Sequence, residues 1–343
     1  MKKRLLILFV MALTILFTGC ERRELVRNNA SVNIRLNLQL SVQVNGKIEE
    51  LPTPEMMRVM FFDCENFELI TESYLPAGGG NVSLPPGRYK LIAYNFDTET
   101  TLLRNDRNYY SIEAYTNEIP TSMRATILNS IQYSIPASKG GSDDTDWDKI
   151  LSKVQNNPIV YEPDHLFVSH EDIEVLNIEG DQIIEASAET IVETWEITVN
   201  IKNEQYIASA RALLTGQIAS NFIGLPKEEG KTDTDVTLMF DMQPENEEGE
   251  NHVIASQFNT FGKNPSVDSR LWLTIIIKTT GGDILEWHRD ITDEFFTDEA
   301  VENNTIHIQD EIDVPVPEDP QGGGGGFQPG VEDWEEENIP IDI

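Results

Sequence analysis

Cysteine is scarce in this sequence of 343 residues, where only Cys20 and Cys64 occur. Two cysteines cannot build the disulfide framework of a small extracellular domain, so we expect hydrophobic cores to hold the fold. Basic residues are also few: the sequence has 25 Lys and Arg against 59 Asp and Glu. No Lys or Arg follows Arg289. Because a formal net charge of −34 repels phosphate backbones, we expect no nucleic-acid partner.

Catalytic motifs are absent from the sequence as well. It contains no Gly-x-Ser-x-Gly, His-Glu-x-x-His, Walker or Cys-x-x-Cys pattern. The two histidines His165 and His170 are five positions apart and would face opposite sides of a strand. A loop that begins at Asp144 resembles the start of a calcium loop, but Lys149 and Gln155 occupy the positions that need glycine and glutamate. We therefore expect no enzyme activity, no cofactor and no metal.

Long apolar runs are missing except at the N-terminus. A basic start is followed by the apolar run Leu5–Phe17 and by Thr18-Gly19-Cys20. This order is typical of a secretory signal peptide, and the run is shorter than the ~20 residues of a membrane-spanning helix. Residues 17–20 resemble the bacterial lipobox, in which cleavage precedes a cysteine that receives lipid. We expect lipid on Cys20, and the alternative is an ordinary signal peptide that happens to precede a cysteine.

Strand patterns dominate the rest of the chain. Apolar residues fall at every second position from Val32 to Val44, which predicts one long strand with a single buried face. Cys64 follows another apolar run, and we expect it to be a small buried side chain rather than a nucleophile. Further strands are predicted at Arg58–Phe62, Arg88–Phe96, Asn108–Tyr115, Glu193–Lys202, Val236–Met242, Leu271–Thr280, Ile284–Ile291 and Thr305–Val314.

Helical patterns are few and short. One is predicted at Trp147–Val154, and another short turn or helix within Thr292–Val301, with Phe295 and Phe296 facing inward. The segment Ala208–Ser220 fits either a helix or a strand. Many short strands with short helices between them indicate a mainly β protein built from β-sandwiches.

Changes in composition suggest a division of the chain into six parts. We predict a signal peptide at 1–19, a lipidated linker at 20–30, an N-terminal β-sandwich at 31–187, a C-terminal β-sandwich at 188–316, a proline- and glycine-rich linker at 317–330 and a C-terminal strand at 331–343.

Several stretches resemble a known family. The N-terminal cysteine signal, the opening strand pattern, Leu84–Asn95, Ala212–Ala219 and Gly330–Trp334 are similar to the fimbrial subunit and fimbrial anchor lipoproteins of Bacteroidales. The resemblance implies two tandem transthyretin-like β-sandwich domains and assembly by strand exchange. In that family, stalk subunits lose their first strand to a protease, whereas anchor subunits keep both that strand and their lipid. Since no distinctive cleavage site precedes Val32, the anchor or accessory role is favoured.

The C-terminal segment fits the role of an added strand. It alternates apolar and other residues behind five glycines, and Pro340 suits a strand that pairs fully on one side only. We expect it to pair either with its own second domain or with another subunit by β-strand addition. The candidate strand-exchange residues are Val331, Trp334, Ile339, Ile341 and Ile343.

Together these patterns predict a lipid-anchored protein of the outer membrane, held there through Cys20, that takes part in adhesion and pilus assembly with fimbrial subunits as partners. Acidic residues and arginines both follow Cys20, so the sequence leaves the leaflet open, the cell surface included. The alternative function is a surface glycan-binding lipoprotein, in which exposed aromatic rings stack on sugars. The candidates for such stacking are Trp147, Trp195, Trp272, Trp287 and Trp334.

Overall fold

The fold is known from a computed structural model, which describes residues 29–133, 135–136, 151–178, 180–246, 252–264 and 270–317. Its strands are β1 Ala30–Leu38, β2 Ser41–Val44, β3 Lys47–Glu50, β4 Met56–Asp63, β5 Leu69–Pro76, β6 Gly79–Leu84, β7 Gly87–Asn95, β8 Thr101–Arg104, β9 Glu113–Thr116, β10 Ile135–Pro136, β11 Ile159–Tyr161, β12 Phe167–Val175, β13 Asp181–Thr190, β14 Glu193–Lys202, β15 Ile207–Ile218, β16 Ser220–Phe222, β17 Asp235–Asn246, β18 His252–Thr260, β19 Trp272–Thr279, β20 Ile284–Asp290 and β21 Thr305–Asp313. The helical segments are Thr121–Tyr133, residues 151–156 and Asp298–Asn303, with 3-10 turns at Tyr109–Ser111, Glu204–Tyr206 and Glu294–Phe296.

The first sheet has seven strands in the order β5-β4-β7-β12-β13-β1-β6. Its two edge strands, β5 and β6, follow each other in sequence and touch, so the sheet curls around a core. All seven strands supply side chains to this core, among them the fully buried Val32, Phe61 and Leu91. Neighbouring strands are antiparallel except β1 and β13, which run parallel.

The second sheet has nine strands, with the path β10-β20-β19-β15-β17-β18-β14-β21 and β11 paired to β17. Its core contains Ile197, Phe240 and Ile275, all close to fully buried. An ion pair of 2.7 Å joins Arg289 of β20, near one end of the strand order, to Asp310 of β21 at the other end. The sheet is therefore curled. The predicted mainly β fold class, with a separate core for each sheet, is therefore confirmed, while the transthyretin-like topology stays a prediction.

The two sheets are joined by the chain that leaves β9. It crosses to the second sheet, where β10 pairs with β20 and β11 with β17. The helix Thr121–Tyr133 buries Ile127 and Ile131 against the outer face of that sheet, which includes Leu213 and Trp272. A small sheet of β8, β9 and β16 adds a second link between the halves. The predicted division at 187/188 falls inside β13, which ends at Thr190, and it stays a proposal.

The long strand predicted from Val32 to Val44 is wrong in its second half. β1 ends at Leu38, and β2 forms a separate hairpin with β3. The turn is Asn45-Gly46, with φ of 49° and 67°. This dipeptide favours the type I′ turn that closes two-residue hairpins, and it lies directly after the end of the predicted strand.

Three other predictions need correction. Asn108–Tyr115 is not one strand, because a 3-10 turn at Tyr109–Ser111 precedes the short β9. Phe295 is buried as expected, but Phe296 is 52% exposed. Cys64 is partly buried rather than fully buried.

Two helix predictions have a clear outcome. The ambiguous segment Ala208–Ser220 is mostly β15. The helix predicted at Trp147–Val154 is confirmed over its described part, residues 151–154, and it continues to residue 156. The helix Thr121–Tyr133 was not predicted from the sequence, since its only fully buried side chains are Ile127 and Ile131.

Candidate functional site

The first strand, β1, is the element on which strand exchange would act, and it lies inside the first sheet. It pairs antiparallel with β6 and parallel with β13 along most of its length. Val32, Ile34 and Leu36 point into the core with 0%, 1% and 8% of their surface exposed, whereas Arg35 and Asn37 face solvent. The predicted inward and outward faces are therefore confirmed for the part of the pattern that forms β1.

A close backbone contact holds the second half of β1 against the start of β6. Gly79 has a φ of +95°, and a Cβ built on it would lie 2.0 Å from the carbonyl oxygen of Ile34. Only glycine tolerates both the left-handed backbone and this approach. The Leu36 N–H donates to the Gly78 carbonyl at 3.2 Å, and the Gln39 N–H donates to the Ala188 carbonyl at 2.9 Å. β1 is thus fixed on both sides up to the residue that follows it.

The β2–β3 hairpin ties the chain that follows β1 to the second half of the protein. It contacts β14 and the end of the helix Asp298–Asn303. Hydrogen bonds join Gln43 Nε2 to the Glu302 carbonyl (3.0 Å), Asn45 Nδ2 to Glu196 Oε1 (2.6 Å) and the Gly46 N–H to the Asn303 carbonyl (3.4 Å). Displacing β1 would therefore disturb contacts between the two halves as well as the first core.

A polar junction lies where β12 and β13 approach the second sheet. His165 is held between Thr190 Oγ1 and Thr194 Oγ1, each 3.1 Å from a ring nitrogen. Burial lowers the pKa of His165 to about 4, so the ring is neutral at physiological pH. The Glu162 carboxyl accepts the Asn259 N–H at 2.8 Å, and burial raises the pKa of Glu162 to about 7.

The polar side chains of this junction bond to other groups of the protein. Asp164 accepts the backbone N–H groups of Glu99 (2.7 Å) and Thr100 (2.5 Å), which uses its oxygens to order a loop. His170 lies on β12 with its side chain exposed, whereas His165 precedes that strand, so the two histidines do not share a strand as predicted. Within the described ranges, no three metal-capable side chains lie close enough to share an ion.

The residues predicted to carry the function lie outside the described part of the chain. This applies to Cys20 and to the strand-exchange candidates Val331, Trp334, Ile339, Ile341 and Ile343. What the structure places is the chain on either side of them. Asn29 leads into β1, and the described chain stops at Pro317, beside Gly281 in the β19–β20 turn.

The strand that precedes the C-terminal segment in the chain is β21, at one end of the second sheet's strand order. Among the described strands β21 is the last one at this end of the sheet, and it pairs with β14 on its inner side only. Beyond β21, the Val314 N–H donates to the Lys202 carbonyl at 3.2 Å, and its own carbonyl accepts from Asn203 Nδ2 at 2.8 Å. The described chain therefore ends at Pro317, four residues after β21, with Val314 fixed to the loop that follows β14.

The tryptophans do not form a sugar-stacking face in the described part of the chain. Trp195, Trp272 and Trp287 are between 2% and 6% exposed and belong to hydrophobic cores. Trp147 and Trp334 lie outside the described residues. The exposed aromatic pair is instead Tyr74 and Phe96, which were not predicted as a site.

None of the helices in the described residues is long and apolar enough to span a membrane.

Comparisons with known proteins agree with the resemblance seen in the sequence. The chain is 24% identical, over 365 aligned residues, to a Bacteroides ovatus protein named "Putative fimbrium anchoring subunit Fim4B". The alignment covers 98% of this chain and 97% of that protein. The resemblance to Bacteroidales fimbrial proteins is thereby confirmed.

Solved structures are also similar to this chain. A crystal structure described as "a putative adhesin from Bacteroides ovatus" matches 88% of this chain and 99% of its own length, with 21% identity and a TM-score of 0.54. The fimbrial anchor protein Mfa2 from Porphyromonas gingivalis matches 82% of this chain and 91% of its own length, with 11% identity and a TM-score of 0.44. The first of these supports the two-sheet architecture.

A family profile described as "Domain of unknown function (DUF5119)" matches residues 19–241, which is well over half of the chain. The chain therefore belongs to the DUF5119 family.

Proposed function

We propose that this protein is a cell-envelope lipoprotein that acts as a fimbrial anchor or accessory subunit in pilus assembly and adhesion. The observation that carries the proposal is the similarity, over nearly the whole of both chains, to a protein named as a fimbrium anchoring subunit. Its role is structural, since it joins other subunits to the cell rather than transforming a substrate.

The contacts of β1 fit an anchor subunit, which would keep this strand after maturation. Burying Val32, Ile34 and Leu36 is worth about 1.5–3 kcal/mol each, so β1 contributes roughly 5–9 kcal/mol as an upper estimate. That equals much of the ~5–15 kcal/mol by which a domain is stable. A subunit that keeps such a strand fills its own groove and does not need a donor strand there. This suits the last subunit of a polymer.

Lipid on Cys20 would attach this end subunit to the outer membrane. The support is the signal sequence with its cysteine, together with β1, which begins at Ala30, ten positions after Cys20. Stable attachment needs more than one acyl chain or a second signal, which lipidation with several acyl chains provides.

The segment Val331–Ile343 is proposed to add as a strand, either to β21 of its own chain or to a neighbouring fimbrial subunit. Extended segments bind sheet edges by main-chain hydrogen bonds, while alternate side chains fill pockets. Among the described strands β21 has a partner on one side only, which supports pairing within the chain. The apolar alternation of Ile339, Ile341 and Ile343 suits either route.

A truncation after Gly326 tests the assembly role. The purified mature chain is mixed with the purified fimbrial stalk subunit of the same organism, and complex formation is followed by size-exclusion chromatography. If the segment is a donor strand, the full chain forms the complex and the truncated chain does not. If the segment completes its own sheet, truncation lowers the melting temperature and exposes an edge. Unchanged binding together with unchanged stability contradicts both versions of strand addition.

One observation favours a second function, glycan binding. Tyr74 and Phe96 are 46% and 52% exposed, and their rings meet edge to face with centroids 5.2 Å apart. Half-exposed aromatic rings of this kind can stack on the apolar faces of sugars. A glycan array probed with the wild-type protein and Tyr74→Ala tests this, with Tyr133→Ala as the control, because Tyr133 is 78% exposed but lies on a helix elsewhere. Equal signals from all three proteins would exclude glycan binding at the pair.

A further inference from the structure

The strand directions place several chain ends at one end of the first sheet. Because β1 and β13 are parallel, both begin there, with Ser31 opposite Asp181. β6 is antiparallel to β1 and therefore finishes there, with Leu84 opposite Ala30. The turn between β6 and β7 and the loop between β12 and β13 consequently lie beside the start of β1. We call this end of the first sheet the N-terminal pole.

Two aliphatic side chains project from the N-terminal pole into solvent. Leu176 is 45% exposed and Ile178 is 50% exposed, and both belong to the loop between β12 and β13. The loop is tied back to the sheet at its start: the Leu176 N–H donates to Gln182 Oε1 at 2.9 Å, and Gln182 Nε2 donates to the Glu174 carbonyl at 2.6 Å. Ile178 lines the same surface cleft as Asn29. The exposed pair is thus adjacent to the point where the N-terminal chain enters the fold.

The length of the N-terminal chain limits how far this pole can be from Cys20. Nine residue steps separate Cys20 from Asn29, and such a chain spans at most about 32 Å in any conformation. The opposite end of β1 leads into the β2–β3 hairpin, which contacts the second half of the protein. A lipid on Cys20 would therefore keep the N-terminal pole within about 32 Å of the bilayer, whereas the β2–β3 hairpin lies at the other end of β1.

We propose that Leu176 and Ile178 insert into the headgroup region of the phospholipid bilayer and form a second membrane contact beside the lipid anchor. This inference rests on the proposed lipidation of Cys20. Apolar side chains leave water on entering this region, while charged neighbours can stay at the headgroup level. Among the described residues, the exposed charges around the loop are Glu174, Asp181 and Arg88, and the sequence adds Glu179 directly after Ile178. Because carboxylates outnumber basic groups, a surface of zwitterionic lipids fits better than an anionic one.

The contact would fix the orientation of the protein on the membrane. One flexible attachment leaves a protein free to tilt, whereas a lipid and a neighbouring loop together define which face points outward. The second sheet, in which β21 is an edge strand among the described residues, would then be held away from the bilayer, where another subunit can reach it.

The test uses the full lipidated chain in phosphatidylcholine–phosphatidylethanolamine vesicles. A bimane label is placed through Ile178→Cys in a Cys64→Ser background, and headgroup-labelled quencher lipids are added. The matched control is Ile48→Cys, because Ile48 is 78% exposed but lies in the hairpin at the opposite end. We expect the label at 178 to lose most of its fluorescence and to shift to the blue, while the label at 48 keeps its emission.

Flotation of the same vesicles separates failure of the inference from failure of the anchor. If the protein floats with the vesicles but neither label is quenched, the second contact is refuted and the anchor stands. Equal quenching at 178 and 48 also refutes it, because the protein then has no preferred orientation. If the protein does not float, lipidation is refuted and the inference falls with it.

Discussion

Replacing Ile34 with alanine should destabilise the first sheet, because Ile34 sits at the centre of the buried face of β1 and is 1% exposed. Truncating a buried isoleucine to alanine typically costs about 2–5 kcal/mol, through lost burial and the cavity that remains. For a unit of 150–250 residues, 1 kcal/mol lowers the melting temperature by about 2–4 °C, so a shift of roughly 4–20 °C is expected. The matched control is Asn37→Ala, which truncates an exposed side chain of the same strand and should change little.

The assay can separate the two sheets. All five tryptophans follow residue 146, so tryptophan emission reports on the second half, while far-ultraviolet circular dichroism reports on both. If the sheets unfold independently, Ile34→Ala adds an early transition in circular dichroism that tryptophan emission does not follow. If they unfold together, both signals shift. Equal melting temperatures for Ile34→Ala and Asn37→Ala would refute the assignment of β1 to the core.

The remaining predictions concern a glycine and the polar junction. Gly79→Ala should destabilise the protein by at least about 1–3 kcal/mol, since the substitution strains a left-handed backbone and meets the Ile34 carbonyl. Gly78→Ala, which meets nothing within 4 Å, should be close to neutral in the same thermal melts, and equal effects would refute the close contact. The raised pKa of Glu162 means that the folded protein binds more protons than the unfolded chain between about pH 4.5 and 7. The stability of Glu162→Gln relative to the wild type should therefore rise with pH over that window in urea titrations. The lowered pKa of His165 has the opposite sign, so the relative stability of His165→Gln should fall as pH rises from about 4 to 6.5, and flat differences would contradict both assignments.

The sequence predicted strands best where a regular apolar pattern coincides with a buried face. Glu193–Lys202 was predicted with the bounds that β14 has in the structure, and the inward residues of β1 were correct. These patterns are local, so they can be recognised without knowledge of the partner strands.

Features that depend on distant partners were not predictable in this way. The parallel pairing of β1 with β13 joins residues about 150 positions apart, and no local pattern indicates it. The break after Leu38 was missed because the alternation of apolar residues continues through it to Val44. The Asn45-Gly46 turn signal is present in the sequence but was not used. The candidate site shows the same division: Cys20 can be recognised from its signal sequence, whereas the N-terminal pole depends on strand directions.

Retention of fimbriae on cells is the measurement that tests the anchor proposal most directly. Fimbriae in the culture medium and on the cell surface would be quantified in strains that produce the wild-type protein or Cys20→Ala. The account predicts that the wild-type strain keeps its fimbriae on the cells and that the Cys20→Ala strain sheds them into the medium. Equal retention in the two strains would contradict the proposal that this protein holds the fimbrium to the membrane through lipid on Cys20.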